Sequence, residues 1–318
     1  MNLVRALLLA AACAAFACQA QDKPLRLLIP APPGAALDLV GRVLADRLRV
    51  SMGSAVIVEN QGGAAGHIAA VALKKAPADG NTAMLVTMAI ISLHPHTYKT
   101  LPYDPFTDFA PVAHLIDGQI ALGINAAVPA GTLPEYLDLA KKEAKFSNYG
   151  SSSAGGSLPH FFAIMMARSA RVELTHIPYK GNAPMIQALT TGEISAGITG
   201  LQDIGRIVRA GKAKMLAVAG ARRSPQFPEV PTLREHGFDL EGAGWYGLYV
   251  PARTPAPGIE RLSRATIDAL RQPDVLKRLQ ELMLESTGLG PTEMDRIGRR
   301  DHERWGPVVK AAGFSHSQ

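Results

Sequence analysis

Short apolar runs alternate with amphipathic stretches along most of this 318-residue chain. Residues 25–30 form an apolar run that ends in proline, and in 36–50 the apolar residues recur at helical spacing. Apolar runs at 55–59 and 81–87 flank a second helical stretch at 67–75. Alternation of this kind favours a mostly parallel sheet with helices on its faces. The sequence therefore predicts an α/β fold.

The middle of the chain continues the same alternation. A strand is expected at 115–124, and a helix is expected at 133–142. Thr132 stands at the start of that helix and Glu135 follows three residues later, which is the pattern of a capping box. The tail is expected to be mainly helical, with helices at 259–271, 274–284 and 291–312.

The chain is long enough for two lobes of ordinary domain size. We expect it to cross between the lobes twice, near 117–125 and near 240–247. This division assigns 22–120 plus 244–318 to the first lobe and 121–243 to the second.

The N-terminal segment has the pattern of an export signal. Arg5 is followed by an apolar run at 6–17, which is too short to span a bilayer, and small residues follow at a cut site near the end of 1–20. Both cysteines, Cys13 and Cys18, lie in this segment. Cleavage would leave a chain without thiols in the periplasm, and a lipid anchor on one of the cysteines is the alternative.

Composition excludes several classes of function. The formal net charge is only +6 and the basic residues are spread along the chain, so nucleic acid is not expected as a partner. The histidines at 94–96 lack further ligands at metal-binding spacing and are expected in a loop. The glycines at 62–66 lack the spacing of a dinucleotide fingerprint. No cofactor or metal is expected.

The first candidate binding loop is 30–38, where three prolines and Gly34 separate a strand end from a helix start. Free amides at a helix N-terminus bind anions, and prolines reduce the ordering cost of binding. The alternative is a plain strand-to-helix turn, in which Asp38 only complements the helix dipole.

The second candidate loop is 149–160, where four serines and three glycines precede a helix. Hydroxyls and exposed amides without fixed charge suit a carboxylate or another oxyanion. A flexible surface loop is one alternative. A secreted serine hydrolase that uses the loop 151–157 with His160 is another, although Ala154 breaks the Gly-x-Ser-x-Gly pattern of a nucleophile elbow.

A series of motifs in fixed order resembles one family over essentially the whole chain. They are Pro-x-Pro-Pro-Gly with Asp at 30–38, Val-Glu-Asn with a glycine turn at 58–66, Ala-Pro-x-Asp-Gly at 76–80, Leu-Pro-Tyr-Asp-Pro at 101–112, Pro-Tyr-Lys-Gly-x-x-Pro at 178–184, Val-Pro-Thr-x-x-Glu-x-Gly at 230–237, and Trp-Tyr-Gly with Pro-Ala-x-Thr-Pro at 245–255. The family is that of the periplasmic solute receptors of tripartite tricarboxylate transporters, the Bug or TctC type.

The resemblance implies a two-lobed binding protein of the Venus flytrap type, each lobe a mostly parallel sheet flanked by helices. A monomer is expected. Such a protein closes on a small organic acid without catalysis and delivers it to integral membrane transporter subunits or to a sensor. The residues that the resemblance assigns to the ligand site are Ala31, Pro33, Gly34, Ala35, Asp38, Thr87, Ser151, Ser153, Gly155, Gly156, Ser157 and Tyr179.

The chain departs from the family pattern within these motifs. Ala35 replaces a usual glycine, Leu37 a small hydroxyl residue, Ala31 a frequent tyrosine, and His67 a frequent asparagine. These changes make the expected pocket more apolar. An aromatic or aliphatic carboxylate is therefore expected rather than citrate.

Overall fold

The computed structural model describes residues 23–151, 156–238, 240 and 244–314. The signal segment 1–20 lies outside the described residues. The strands are β1 (Leu25–Ile29), β2 (Val56–Asn60), β3 (Thr82–Thr87), β4 (Phe109–Gly118), β5 (Ile120–Asn125), β6 (Asn148–Ser151), β7 (Thr175–Pro178), β8 (Ala196–Gly200), β9 (Ala213–Val218), β10 (Gly244–Pro251) and β11 (Glu285–Leu289). The α-helices are α1 (Ala36–Met52), α2 (His67–Lys75), α3 (His94–Thr97), α4 (Leu133–Lys142), α5 (Leu158–Ala170), α6 (Asn182–Thr191), α7 (Leu201–Arg209), α8 (Ala256–Leu270), α9 (Pro273–Glu281) and α10 (Pro291–Ala312).

The first sheet has the strand order β11–β4–β10–β3–β1–β2. β1 is parallel to β2 and β3, and β10 is antiparallel to both β3 and β4. Strands β1 to β4 therefore all point the same way. Leu27 and Leu28 pack into different apolar clusters on the two faces of the sheet. Helices α1, α8 and α9 cover one face, and α2 and α10 cover the other.

The second sheet has the order β7–β6–β8–β5–β9. β6 is parallel to β7 and β8, and β5 is antiparallel to β8 and β9. Helices α6 and α7 cover one face, while α4 and α5 cover the other. Two helix-flanked sheets of this kind are the architecture expected from the sequence; the residue boundaries of the two lobes stay a prediction.

The sheets are joined where β4 ends and β5 begins. The single strand expected at 115–124 is wrong, because pairing passes from one sheet to the other at Gln119. Gly118 pairs with Gly244 in the first sheet, and Ile120 pairs with Gly200 in the second. The carboxyl ends of β1 to β4 and those of β6 to β9 therefore face each other across this crossing.

Two further expectations differ from the structure. The histidines expected in a loop at 94–96 lie in the short helix α3. His94 is buried there, and its Nδ1 lies 3.2 Å from the Tyr103 hydroxyl. Strand β11 was not expected from the sequence, since Glu285, Ser286 and Thr287 give it no apolar alternation. By contrast, α4 has its expected start, with Thr132 and Glu135 forming both bonds of the capping box.

Helix α10 packs against helix α5 of the second lobe as well as against the first sheet. Trp305 is 3 % exposed and its ring lies 5.7 Å from that of Phe162 and 6.4 Å from that of Phe161, both on α5. One apolar cluster thus extends from the first sheet through α10 to α5. None of the described helices is long and apolar enough to cross a membrane.

Trp305→Ala should lower the free energy of unfolding by about 3–5 kcal/mol, because it leaves a cavity where α10 meets α5. Glu303→Ala, at an exposed position on the same helix, should stay within about 0.5 kcal/mol of the wild type. Urea unfolding followed by circular dichroism measures both values. Equal stabilities of the two variants would contradict the packing role of Trp305.

Candidate functional site

The loop after β1 is held in shape by Asp38. This side chain, in the first turn of α1, is only 1 % exposed. Its carboxylate accepts hydrogen bonds from the Gly34 amide at 2.8 Å, from Arg42 Nε at 3.0 Å and from Asn60 Nδ2 at 2.8 Å. Asp38 therefore does more than complement the helix dipole: it lies beneath the loop and fixes its shape.

The charge of Asp38 is maintained by these bonds. Burial by itself would raise the pKa of the carboxyl group, but the bonds from Arg42, Gly34 and Asn60 outweigh that cost and hold the pKa below its usual value. Gly34 provides the turn in this loop, with φ at +83°, a conformation that glycine adopts without steric cost. The same residue donates its amide to Asp38.

Asn60 at the end of β2 ties two neighbouring loops together. Its Nδ2 also donates to the Ala31 carbonyl at 3.1 Å, and its Oδ1 accepts from Arg42 at 3.1 Å. A Cβ on Gly62 would lie 3.3 Å from the Pro32 nitrogen, so the turn after β2 runs close against the first loop. In the sequence, Val-Glu-Asn stands out only as a motif, and no local pattern signals this supporting role of Asn60.

The N-terminus of α1 lies within the first predicted loop. Its N-cap, Ala35, has no side-chain acceptor for the first-turn amides. Those amides have no partner within the helix. Pro33 stands between Ala31 and Gly34, and Leu37 is buried in the core. This end of α1 can therefore offer main-chain donors to an anion.

On the second sheet, Ser151 ends β6 and is fully buried. Its Oγ lies 2.7 Å from Nε2 of His176 on β7. The His176 ring stacks on that of Tyr149 at 5.1 Å and lies 4.5 Å from that of His160. Burial lowers the pKa of His176 to about 4, with a further contribution from His160, so the imidazole is neutral at pH 7.

The loop that follows leads into the N-terminus of α5. Ser153 and Gly155 lie outside the described residues. The Gly156 amide donates to His160 Nδ1 at 3.1 Å, so His160 holds the end of this loop. Ser157 occupies the N-cap position of α5, but its side chain accepts no hydrogen bond from the first-turn amides. Its buried Oγ has no hydrogen-bond partner among the described residues.

Two other predicted site residues also lie at the carboxyl ends of strands. Thr87 ends β3, is half-buried and is paired with Tyr246. Tyr179 follows β7, but its hydroxyl donates to Glu193 Oε1 at 3.0 Å and its ring lies beside Gly150. Tyr179 thus packs on its own lobe.

A polar cluster that was not expected from the sequence lies at the end of β8. The Thr199 hydroxyl donates to Asn182 Oδ1 at 3.0 Å, and Asn182 Nδ2 donates to Asp203 Oδ2 at 2.5 Å. Burial raises the pKa of Asp203 despite opposing contributions from Arg206 and Asn182. Burial, and then the charge of Asp203, raises the pKa of Tyr246 to about 12. Only the Pro-Tyr-Lys-Gly-Asn segment of the sequence gave a signal, through Asn182.

The geometry suits anion binding better than catalysis. Helices α1, α5, α6 and α7 all begin at the facing edges, and none of them has a side-chain N-cap bond among the described residues. In the described ranges, no group of three or more His, Cys, Asp or Glu side chains could hold a metal ion. Ser151, which has a histidine partner, is fully buried, and His160 Nδ1 accepts from the backbone.

Asp38→Asn should lower the free energy of unfolding by about 1–3 kcal/mol at pH 7, because it weakens a buried acceptor that serves three hydrogen-bond donors. Since the folded pKa lies below the unfolded one, the stabilisation exists at neutral pH and is lost as pH falls through the folded pKa. The variant and wild type should therefore converge in strong acid. Asp46→Asn, an exposed carboxylate on the same helix, is the control. Urea titrations at pH 7 and pH 2.5 measure these differences, and a constant gap would contradict the assignment.

Acidification from pH 6.5 to 4 should reduce stability through His176. The unfolded imidazole binds its proton near 6.5 and the folded one only near 4, so protons favour the unfolded chain in this interval. His176→Gln should show a smaller fall in melting temperature between pH 7 and pH 4.5 than the wild type. An unchanged fall would show that His176 is protonated equally easily in both states.

Comparison with known proteins places this geometry in a family. A family model described as the tripartite tricarboxylate transporter family receptor matches residues 40–314. BugT of Bordetella pertussis is 28 % identical over 296 residues, covering 92 % of this chain and 90 % of that protein.

Two solved structures have the same fold over most of their length. The structure of R. palustris Rpa4515 with adipate is 30 % identical in sequence, covers 93 % of this chain and 99 % of its own, and has a TM-score of 0.84. MatC from Rhodopseudomonas palustris with bound malate is 27 % identical, covers 91 % and 99 %, and has a TM-score of 0.79.

These matches confirm the two-lobed α/β fold and the resemblance found in the sequence. They support a solute-binding receptor and give no support to the serine hydrolase. The chain belongs to the tripartite tricarboxylate transporter receptor family.

Proposed function

We propose that this receptor binds a small organic carboxylate between its two lobes and delivers it to the membrane subunits of a tripartite tricarboxylate transporter or to a sensor. The observation that carries the proposal is the pair of helix N-termini, of α1 and α5, at facing sheet edges. Beside the N-terminus of α5, the Ser157 hydroxyl has no bond to any residue that the structure describes. Donors of this kind stabilise a negative charge without a fixed cation.

The proposed site consists of the first-lobe loop, the end of β3 and the loop before α5. Its residues are Ala31, Pro33, Gly34, Ala35, Asp38, Thr87, Ser151, Ser153, Gly155, Gly156, Ser157 and Tyr179. Within this set, Asp38 and Ser151 act indirectly, because both are buried and bonded to protein groups. Direct contact is assigned to the first-turn amides of α1 and to Ser157.

The ligand class follows from the departures in the first loop. Ala31 and Ala35 present methyl groups, and Leu37 removes a hydroxyl donor from the first turn. A ligand with an aliphatic body suits these residues better than citrate, which needs several polar partners. The adipate bound to Rpa4515 and the malate bound to MatC are aliphatic carboxylates, so these two acids are the first probes.

The remaining parts of the proposal concern organisation and location. The lobes are taken as 22–120 plus 244–318 and 121–243, with residues 1–20 removed as a signal peptide on export to the periplasm. Family membership supports the periplasmic location. A monomer is proposed, because each chain supplies both sides of the site.

Adipate or malate should raise the melting temperature, by mass action equivalent to about 2.7 kcal/mol at a hundredfold excess over Kd. Ser157→Ala should weaken binding about tenfold, because one hydrogen bond to a charged group is lost. Ser51→Ala, whose hydroxyl bonds to Leu48 within α1, should bind as the wild type does. Isothermal titration calorimetry gives the affinities.

The neutral diamide of adipate is the ligand control and should not bind. If no carboxylate in a panel from C3 to C8 raises the melting temperature, the proposed function is wrong. If carboxylates bind but Ser157→Ala binds them equally well, only the assignment of Ser157 is wrong.

A further inference from the structure

The turn between α9 and β11 has an unusual residue at its centre. The Leu284 amide donates to the Leu279 carbonyl and the Met283 amide to the Gln280 carbonyl, both at 2.9 Å, which is the bonding pattern of a Schellman motif. Met283 occupies the left-handed position of this motif, with φ at +55°. Glycine takes that position without steric cost, whereas a methionine is strained there. Local backbone energy alone does not account for this side chain.

The Met283 side chain packs on the second lobe. It is 9 % exposed and belongs to the apolar cluster that includes Phe227 and Ile204, both in the second lobe. A Cβ built on Gly205 would lie 3.1 Å from Met283 Sδ and 2.8 Å from the Phe227 ring. Gly205 thus leaves the space into which the methionine sulfur fits.

Two polar contacts flank this apolar one. Arg222, in the second lobe, donates to Glu285 Oε2 at 2.7 Å, and Gln226 Nε2 donates to the Gln280 carbonyl at 3.2 Å. The Arg222 side chain is 76 % exposed, so its ion pair is a minor contribution. We call the contacts of Gln280, Met283 and Glu285 with the second lobe the rear contact.

The rear contact lies on the far side of the crossing from the proposed ligand loops. In the strand orders, β11 lies on the outer side of β4 and β9 on the outer side of β5. The rear contact joins the turn before β11 and the start of β11 to α7, which leads into β9, and to the segment that follows β9. The ligand loops follow β1, β3 and β6, on the other side of β4 and β5. A rotation about the crossing that brings β2 towards β7 therefore moves the rear contact apart.

We propose that the rear contact opposes closure of the lobes and so sets ligand affinity from outside the ligand site. The proposal rests on the proposed function, in that it takes the ligand to be held by both lobes. Apparent affinity falls with the fraction of molecules in the binding-competent state. An interaction that is present only in the open state lowers that fraction, and its removal raises affinity.

Met283→Gly tests the proposal without backbone cost, because glycine relieves the left-handed strain while the inter-lobe side chain is lost. We expect adipate or malate, whichever binds, to bind about fivefold more tightly, at the lower end of typical coupling between sites. Arg171→Gly is the matched control: Arg171 is also left-handed, at φ +52°, after a helix within the second lobe. It should leave affinity unchanged.

Arg222→Ala provides a second, milder variant, because truncation at this exposed position leaves the core intact. Ligand affinity should rise only about twofold, because an exposed ion pair contributes little free energy. Its control is Arg223→Ala, because the neighbouring arginine pairs with Glu235 inside the second lobe. Unchanged or weaker binding by both Met283→Gly and Arg222→Ala would overturn the proposal.

A ligand-free measurement separates this proposal from the proposed function. Spin labels at Val50→Cys and Glu173→Cys, with Cys13 and Cys18 changed to Ala, report the distance between the two outer ends of the lobes by double electron–electron resonance. Met283→Gly should shift this distribution towards shorter distances without any ligand. If the labelled protein gives the same distance distribution with and without Met283→Gly, the proposal is overturned, even if carboxylates bind. A shift to shorter distances would support it, even if no carboxylate binds.

Discussion

The pairing of β4 and β5 with different sheets is the constraint on which the rest of the structure depends. Gly118 is paired in the first sheet and Ile120 in the second, so a single residue, Gln119, lies between them. Because the parallel strands of both sheets end at this crossing, their following loops and helix starts are brought face to face. Ligands of open α/β sheets bind outside the carboxyl ends of strands for the same reason. The crossing thus brings the proposed ligand loops together, and it is the point about which the proposed closure of the lobes would turn.

At the proposed site, buried polar bonds fix the shape of the loops, and exposed main-chain donors are left to bind the ligand. Asp38 and His160 each accept a bond from a loop amide, at Gly34 and Gly156 respectively, and so fix the loops from beneath. The uncapped helix starts above them remain available to an anion. Pre-arranged donors lose little entropy on binding, which favours affinity for a small ligand. The rear contact adds a second level of control, because it acts on the lobes rather than on the loops.

Local patterns predicted the helices and many strands well. The capping box at Thr132 and Glu135 and the apolar spacing of α1 are local signals, and local signals survive folding when they agree with the core. A crossing between the lobes was expected near 117–125, but the break of the strand at Gln119 was not, since one continuous apolar run serves two sheets. β11 was missed because its residues lack alternation, and α3 because a His-Pro-His segment has weak helical propensity.

The sequence by itself determined the α/β class, the order of the family motifs and the two loops rich in Pro, Gly and Ser, because these depend on residue type and spacing. Only the tertiary structure decided which groups are free at those loops. Asp38 is occupied by Gly34, Arg42 and Asn60, whereas the buried Ser157 hydroxyl has no partner among the described residues. Gly34 and Arg42 are near Asp38 in the chain, but Asn60 is 22 residues away. A partner brought in by the fold from another strand end is not revealed by any local pattern.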